Sequence, residues 1–432
     1  MKKKLIRFGL WSVLALLTLE SWAGPRDSTY VRAALPAPDA DNAGLKLPAG
    51  FSALKVADSI GGARHLVVTP EGDIYVKMQT PKPGKAITLL HDSNGDGKAD
   101  KITTFGTYRG TGIGIHDGYL YASSDEAIFR YKLDDKHQVI DTAAPQRIVY
   151  GLLNRHQHES KSITFDNAGN IYVNIGAFSN SCQEQDRKNG SKGRMPCPIL
   201  DSAGGIWQFK ADKPDQTYGD GDRYATGLRN VVGLDWNQDQ NQLFVMQHGR
   251  DGLFDMFPEF YNLQQGNELP AECMYALKKG DNAGWPYMYY DGIQKKKMLA
   301  PEYGGDGVKT GGEKAIDPVV AFPAHMAPNG LLFYTGSQFP ARYKNGAFIA
   351  FHGSWNRQKG QKGYFVVFVP FNNGKPSGDW EIFADEFAGV DNIQSPGQAK
   401  HRPCGLAQGP DGSLYVTDDV KGAVYRIMYN GK

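Results

Sequence analysis

Cysteine is scarce in this 432-residue chain, with four in all, and no CxxCH occurs, which removes covalently attached haem. Long apolar runs are absent beyond the first twenty or so residues. No later stretch of about 18 uncharged apolar residues exists to cross a bilayer. Charge of one sign never accumulates: the net charge is +2, charged residues make up 22%, and no like-charge block recommends a nucleic-acid partner. Sustained apolar spacing at i, i+3, i+4 and i+7 is also missing, so helices should be few and short.

What is present begins with an export signature. Lys2-Lys3-Lys4, the apolar run Leu10 to Leu19 and the small residues Ser21 and Ala23 read as a secretory signal peptide over 1–23. An uncleaved membrane anchor is the competing reading of the same segment. Removal leaves about 400 residues with no membrane-inserted segment, expected in the periplasm or outside the cell. Residues 24–48, rich in Pro, Ala and Asp, read as an extended lead-in, and 49–432 as the folded catalytic unit. An oxidising compartment allows disulfides. Cys182 and Cys197 bracket a polar loop and form the favoured pair, whereas bonding of Cys273 and Cys404 stays open.

Gly at 52 residues and aromatics at 12% suit many short strands joined by tight turns. One pattern recurs: an apolar strand, a turn on Asp, Asn or Gly, then a strand rich in Ile, Leu, Tyr and Val. Its six copies are His65 to Lys77, Ile115 to Ala122, Ser162 to Asn174, Gly233 to Met246, Gly330 to His352 and Gly405 to Thr417. Each reads as the inner hairpin of a four-stranded blade, giving an all-β, six-bladed β-propeller. A sandwich with a second β domain is the competing fold. Asp251 to Pro286 is the longest stretch without the hairpin pattern, a natural place for function.

Four segments carry chemistry. Asp92-Ser-Asn-Gly-Asp-Gly-Lys-Ala-Asp100 spaces the oxygens of Asp92, Asn94, Asp96, the Lys98 carbonyl and Asp100 around Gly97 as in a calcium loop. The twelfth-position Glu of an EF-hand is replaced by Thr103, so a solvated turn without an ion is the alternative. His156 and His158 precede a repeat strand, where a histidine serves as a general base or simply packs. Arg229-Asn230 enters another repeat strand and His248-Gly249-Arg250-Asp251 leaves it. Arginines gathered at one propeller opening make an anion-binding tunnel, although single loop arginines are commonly solvated.

The order GLRN, GLDW, HGRD, the Gly280 to Asp291 segment, Phe322 to Tyr334, HGSWNR (His352 to Arg357) and Arg402 to Asp419 resembles the soluble sugar dehydrogenases that depend on pyrroloquinoline quinone (PQQ). The similarity is to their sorbosone dehydrogenase and pyranose dehydrogenase branch and spans about Leu47 to the C-terminus. It implies a propeller with PQQ over a calcium ion at one end of the axis, and oxidation of a sugar CH–OH with hydride passing to the quinone C5. It implies PQQ contacts from Arg229, Asn230 and Arg402, with Arg357 mapping less securely, calcium held by the carbonyls of Gly249 and Arg250, and His158 as the base. Electrons then leave to an external acceptor, a cytochrome or a quinone. Arg250 stands where the glucose-oxidising branch has Pro, and Phe322 to His325 replaces an aromatic-Pro-Thr stretch, so His325 lines the pocket or packs. Arg64 faces the tunnel or forms a surface salt bridge. A non-redox binding propeller and a calcium-dependent lactonase are the alternative functions.

Overall fold

The computed structural model describes residues 35–79, 84–358 and 360–431. The signal-peptide reading over 1–23, and the lead-in before residue 35, lie outside the described residues. Within the described chain six sheets follow one another as blades of a propeller, four of them four-stranded and antiparallel and two widened to five strands by a short parallel strand, Gln216–Thr217 in one and Asp281–Asn282 in the other. Their innermost strands, Ala63–Val68, Ile113–His116, Ile163–Phe165, Val231–Asn237, Pro328–Phe333 and Pro403–Gln408, meet one another in a closed ring about the axis. All six repeat copies are the inner hairpins of these blades. The competing sandwich is set aside by that ring.

The local reason is period-2 burial followed by a turn that only some residues tolerate. Ile74–Met78 and Leu414–Asp418 are buried along their whole length because each is flanked by strands and covered on both faces. Gly72 and Gly412 take φ of 97° and 87° in the hairpin turns before them, a region most side chains avoid. Between blades the wedges fill with aromatic and branched side chains. Phe51, Tyr343, Phe348, Phe383 and Tyr425 share one such cluster, and Ile128, Val149, Ile171 and Trp207 another. Phe51–Ala57, from the N-terminal side, pairs with Val424–Tyr429, Phe51 opposite Tyr429, and so closes the last blade with the first strand. Closure leaves no long free sheet edge between the chain's two ends.

Two connections depart from the minimal blade, both on the same end of the propeller. The third blade carries residues 176–204 between its second and third strands. The fourth carries α1 (Leu253–Met256) and α2 (Leu263–Glu268) before its third strand Glu272–Leu277, and a hairpin of Met288–Asp291 with Lys296–Leu299 after it. These additions to the fourth blade have a core of their own, including Leu253, Phe257, Tyr261, Leu269 and Met298. The stretch Asp251 to Pro286 therefore contains a blade strand, Glu272–Leu277, which pairs with Gln242–Gln247 although the two helices stand between them in sequence. α1 and α2 are the only α-helices among the described residues.

Cys182 and Cys197 are disulfide-bonded, and Cys273 and Cys404 are buried free thiols. The bond closes a loop of sequence separation 15, for which the chain-entropy argument gives about 3 kcal/mol of stability. Replacing both cysteines by alanine is expected to lower the unfolding free energy read from urea titration by that much, with the wild type in reductant matching the variant.

Candidate active site

The end of the propeller where the innermost strands begin, and where their hairpin partners end, gathers the charged residues. Arg229 and Asn230 sit just before the fourth blade's innermost strand, and His248, Gly249 and Asp251 just after its partner. His325 and Ala327 precede the fifth blade's innermost strand, and His158 the third's. Together with Arg187, Glu272, Trp355 and Asn356 they enclose a cavity of about 200 Å³. A second cavity of about 250 Å³ adjoins it, sharing Arg187, Asp251, His325, Trp355 and Asn356 and adding apolar wall from Phe254 and Met256.

His158 Nδ1 lies 2.5 Å from the Ala177 carbonyl oxygen. A carbonyl only accepts, so Nδ1 carries the proton and Nε2 keeps its lone pair. Burial, reinforced by the Arg229 charge, holds the ring's pKa well below the usual histidine value. At neutral pH His158 is an uncharged base. Its backbone has φ of 52°, and the approach of Gly176 explains how that loop fits: a Cβ there would stand 2.4 Å from the His158 carbonyl oxygen. His325 and Ala327 also take positive φ, 62° and 55°. Three cavity-lining residues in the left-handed region mark the strain common at functional sites.

Asp251 is the hub. Its Oδ2 accepts from Arg229 Nη2 at 2.7 Å and Arg187 Nη2 at 2.9 Å, and its Oδ1 from Asn356 Nδ2 at 2.5 Å. Burial alone would raise this carboxyl, but Arg229, Arg187 and His325 outweigh it and hold the group far below the ordinary carboxylate range. Arg229 also donates to the Gly249 carbonyl at 2.9 Å. Glu272, buried at the head of its strand, accepts from the backbone N–H of Gly249, Met326 and Ala327. Desolvation nonetheless pushes it up to about 7. His248 donates to the Pro328 carbonyl at 3.3 Å and burial pulls its pKa down to about 3. Three buried polar atoms of the wall, Arg229 Nε, Asn230 Oδ1 and Asn356 Oδ1, have no hydrogen-bond partner among the described residues. Such atoms are costly unless a ligand or water meets them.

The remaining sequence candidates are distributed unevenly. Arg64 and Arg402 lie at the same end of the axis but outside the wall of either cavity. Arg64 donates to Asp419 at 2.9 Å, with its Nε unpartnered, so it is buried in an ion pair and not on the surface. Arg402 spends its guanidinium on the carbonyls of His352 and Gly353. The Arg357 guanidinium is turned away into the loops, donating to the carbonyls of Gly360, Asn267 and Ala324 and to Glu268. The Arg250 side chain also points away from the cavity, gripping Glu302 at 2.5 Å and the Asp251 carbonyl. His325 does line both cavities, donating to the Gly266 carbonyl at 3.1 Å.

The Asp92–Asp100 loop is remote, on the first blade against Asp39. Its oxygens are engaged locally: Asp92 accepts from the N–H of Gly95 and Gly97, Asn94 from Asp96, Asp96 from Lys98, and Asp100 from Ser93. Lys98 reaches Asp39 at 2.8 Å. Among the described residues no three His, Cys, Asp or Glu side chains group as a metal site, here or on the axis.

A model of the TrAA12-like family matches residues 45–430. The chain belongs to the TrAA12-like family. Among similar proteins is a PQQ-dependent pyranose dehydrogenase of Coprinopsis cinerea, 24% identical over 419 residues. The match covers 88% of this chain and 54% of that protein, so the chain spans about half of this relative's length. A PQQ-dependent sugar dehydrogenase of Hypocrea jecorina is 22% identical, with 86% of this chain and 84% of that protein covered. The TrAA12-like fold is also seen in the calcium structure of the Trichoderma reesei AA12 enzyme, at TM-score 0.71, 17% identity and coverage of 92% and 99%. The holo PQQ domain of the Coprinopsis pyranose dehydrogenase superposes at TM-score 0.68, 20% identity and coverage of 91% and 98%.

In this TrAA12-like chain, sequence reasoning missed Asp251, Glu272, Asn356 and Arg187 as parts of one site. Asp251 and Asn356 lie inside the HGRD and HGSWNR motifs. Glu272 had a signal too: one carboxylate in the otherwise uncharged run Leu269 to Leu277. Arg187 sits in the disulfide loop and carried none. No helix among the described residues is long and apolar enough to cross a membrane.

Proposed function

We propose that this chain is a PQQ- and calcium-dependent sugar dehydrogenase, its catalytic unit running from residue 49 to the C-terminus and its first 23 residues an export signal to the periplasm or beyond. One observation carries the reading: a half-buried His158, its Nδ1 spent on Ala177, shares a cavity wall with a buried arginine and a buried asparagine that each have one polar atom without a partner. PQQ carries three carboxylates, and Arg229 and Arg187 are the cations that would hold them, with Asn230 completing the polar wall. The oxygens of Gly249, Asp251 and Asn356 are of the hard type that calcium takes, and Arg229 now bridges the first two. When bound, PQQ supplies an electrophilic quinone carbon that accepts hydride and calcium a Lewis acid beside it.

The chain's own residues do the rest. His158 Nε2 receives the proton of the substrate hydroxyl, while Ala177 fixes the tautomer through Nδ1. Phe254, Met256 and Trp355 give the adjoining cavity an apolar wall against which a sugar ring packs. The narrow, desolvated cavity strengthens each polar contact inside it. Purified apoprotein given PQQ and Ca²⁺ is expected to retain quinone absorbance through gel filtration and to reduce a dye with at least one pyranose or sugar aldehyde. Protein without bound quinone, or inert toward every sugar, would overturn the proposal.

A further inference from the structure

Oxidation of a CH–OH group releases two electrons and two protons per turnover, and the electrons must leave. The cavity rim on the third-blade side has a feature that catalysis does not use. Residues 182–197 form a hairpin clamped by the disulfide, by pairing of Gln183 with Gly193, and by bonds from Glu184 N to Lys192 O and Arg194 N to Cys182 O. It is fastened to the fourth-blade additions by Gly193 N to Glu302 O at 3.0 Å, by Ser181 Oγ to Glu302 at 2.9 Å and by Tyr303 to Ser181 O at 3.1 Å. Glu302 is the buried partner of Arg250. The hairpin is thus rigid, and it touches the site directly, since Arg187 lines both cavities.

Its outer face is basic. Lys188, Lys192 and Arg194 are exposed, and none has a carboxylate within ion-pair distance among the described residues. Lys188 reaches only Gln185, and Arg194 only the Glu184 carbonyl. Of the two acidic residues in the loop, Asp186 is engaged by Ser179 Oγ and Asn180 N, and Glu184, exposed on the loop, forms no ion pair with the three cations. Met195 stands 71% exposed among the cations. Arg155, three residues before His158, adds a further charge, its guanidinium 5.8 Å from the Phe178 ring at the root of the loop. Like charges held together on a fixed scaffold do not help folding. They do create a field that steers an opposite surface.

We propose that this hairpin face docks a small one-electron carrier protein whose own redox group is ringed by acidic side chains. The inference rests on the sugar-oxidation reading. One exposed apolar residue inside a cationic rim suits a small, transient, salt-sensitive contact, the kind electron carriers make. The balance is simple: the substrate carbon goes from CH–OH to C=O, two carrier molecules each take one electron at a copper or haem iron, and the two protons pass to water.

The test uses reconstituted holoenzyme, sugar as donor, and two acceptors: acidic plastocyanin and a neutral benzoquinone. With plastocyanin, kcat/KM is expected to fall by roughly tenfold between 20 and 200 mM salt and by about 10- to 100-fold in K188E/K192E/R194E, the range over which steering acts on association. Benzoquinone turnover should stay unchanged in that variant, which also shows that it is folded; the milder K188Q/K192Q/R194Q should fall between. Equal plastocyanin rates in wild type and the charge-reversed variant would overturn the proposal. So would basic cytochrome c outpacing plastocyanin with the same salt slope. Absent benzoquinone reduction in the wild type removes the sugar-oxidation reading, and the docking surface with it.

Discussion

Replacing His158 by alanine is expected to lower kcat with sugar by about 10²- to 10⁴-fold while leaving quinone absorbance on the protein, the range a positioned base contributes. The split follows from what His158 touches. Its Nδ1–H is spent on Ala177, and no side chain of the cavity depends on it as a counterion, so its loss removes a lone pair and little else. The neighbouring His156, 86% exposed in its side chain, serves as control: His156→Ala should turn over as the wild type does. The pH profile separates base from packing. Burial and Arg229 lower the His158 pKa, so the competent neutral form dominates across pH 6 to 8 and is lost only as pH falls well below the ordinary histidine range. A limb near pH 6.5 in the wild type, or full turnover in His158→Ala, would assign the proton transfer elsewhere. Added imidazole should restore part of the variant's rate, which a merely structural loss would not allow.

His158 and Asp251 show how differently two parts of one site are written in a chain. The propeller was legible because each inner hairpin is local: alternating burial, a turn residue that tolerates positive φ, then a buried partner strand rich in Ile, Leu, Tyr and Val. All the information lies within about a dozen residues. The place of His158 in the cavity wall was legible from its position before one of these hairpins. Glu272 was not, because its partners Gly249, Met326 and Ala327 come from three separate segments. Arg357 illustrates the reverse failure. A lone arginine in HGSWNR reads as a cation for an anionic ligand, yet the closeness of α2 and of Ala324 gives it three carbonyls and a carboxylate to satisfy first. Whether an arginine is available or consumed depends on contacts between loops, which carry no periodicity. In the Asp92–Asp100 loop the alternating oxygens accept from the turn's own N–H groups.

Asp251→Asn is expected to cost roughly 3 to 5 kcal/mol of stability, the usual result of stranding one member of a buried ion pair. The substitution keeps the side chain's shape. The backbone of residue 251 stays held by Asn180 on both its N–H and its carbonyl, and by Arg250. What disappears is the counterion of Arg229, whose side chain is only 5% exposed. Arg187, at 39%, can turn to water and adds little. Burial already lowers the Arg229 pKa against the pull of Asp251, so without that carboxylate the guanidinium keeps only neutral hydrogen-bond acceptors, the Gly249 carbonyl and the amide oxygen left at position 251. Two consequences distinguish this electrostatic role from general damage. First, R229M/D251N should be far less unstable than the sum of the single variants, because the stranded charge is gone. Second, PQQ should raise the unfolding midpoint of Asp251→Asn more than that of the wild type, since an anionic ligand resupplies the missing charge. The pH dependence has a defined sign. A carboxyl held below its unfolded value contributes stability that is complete above the ordinary carboxylate range and is lost as pH falls through the folded value. Asp251→Asn should therefore flatten the acid limb of stability, and urea unfolding from pH 7 down to pH 3 would reveal a limb of undiminished slope if Arg229 were neutralised by some other group.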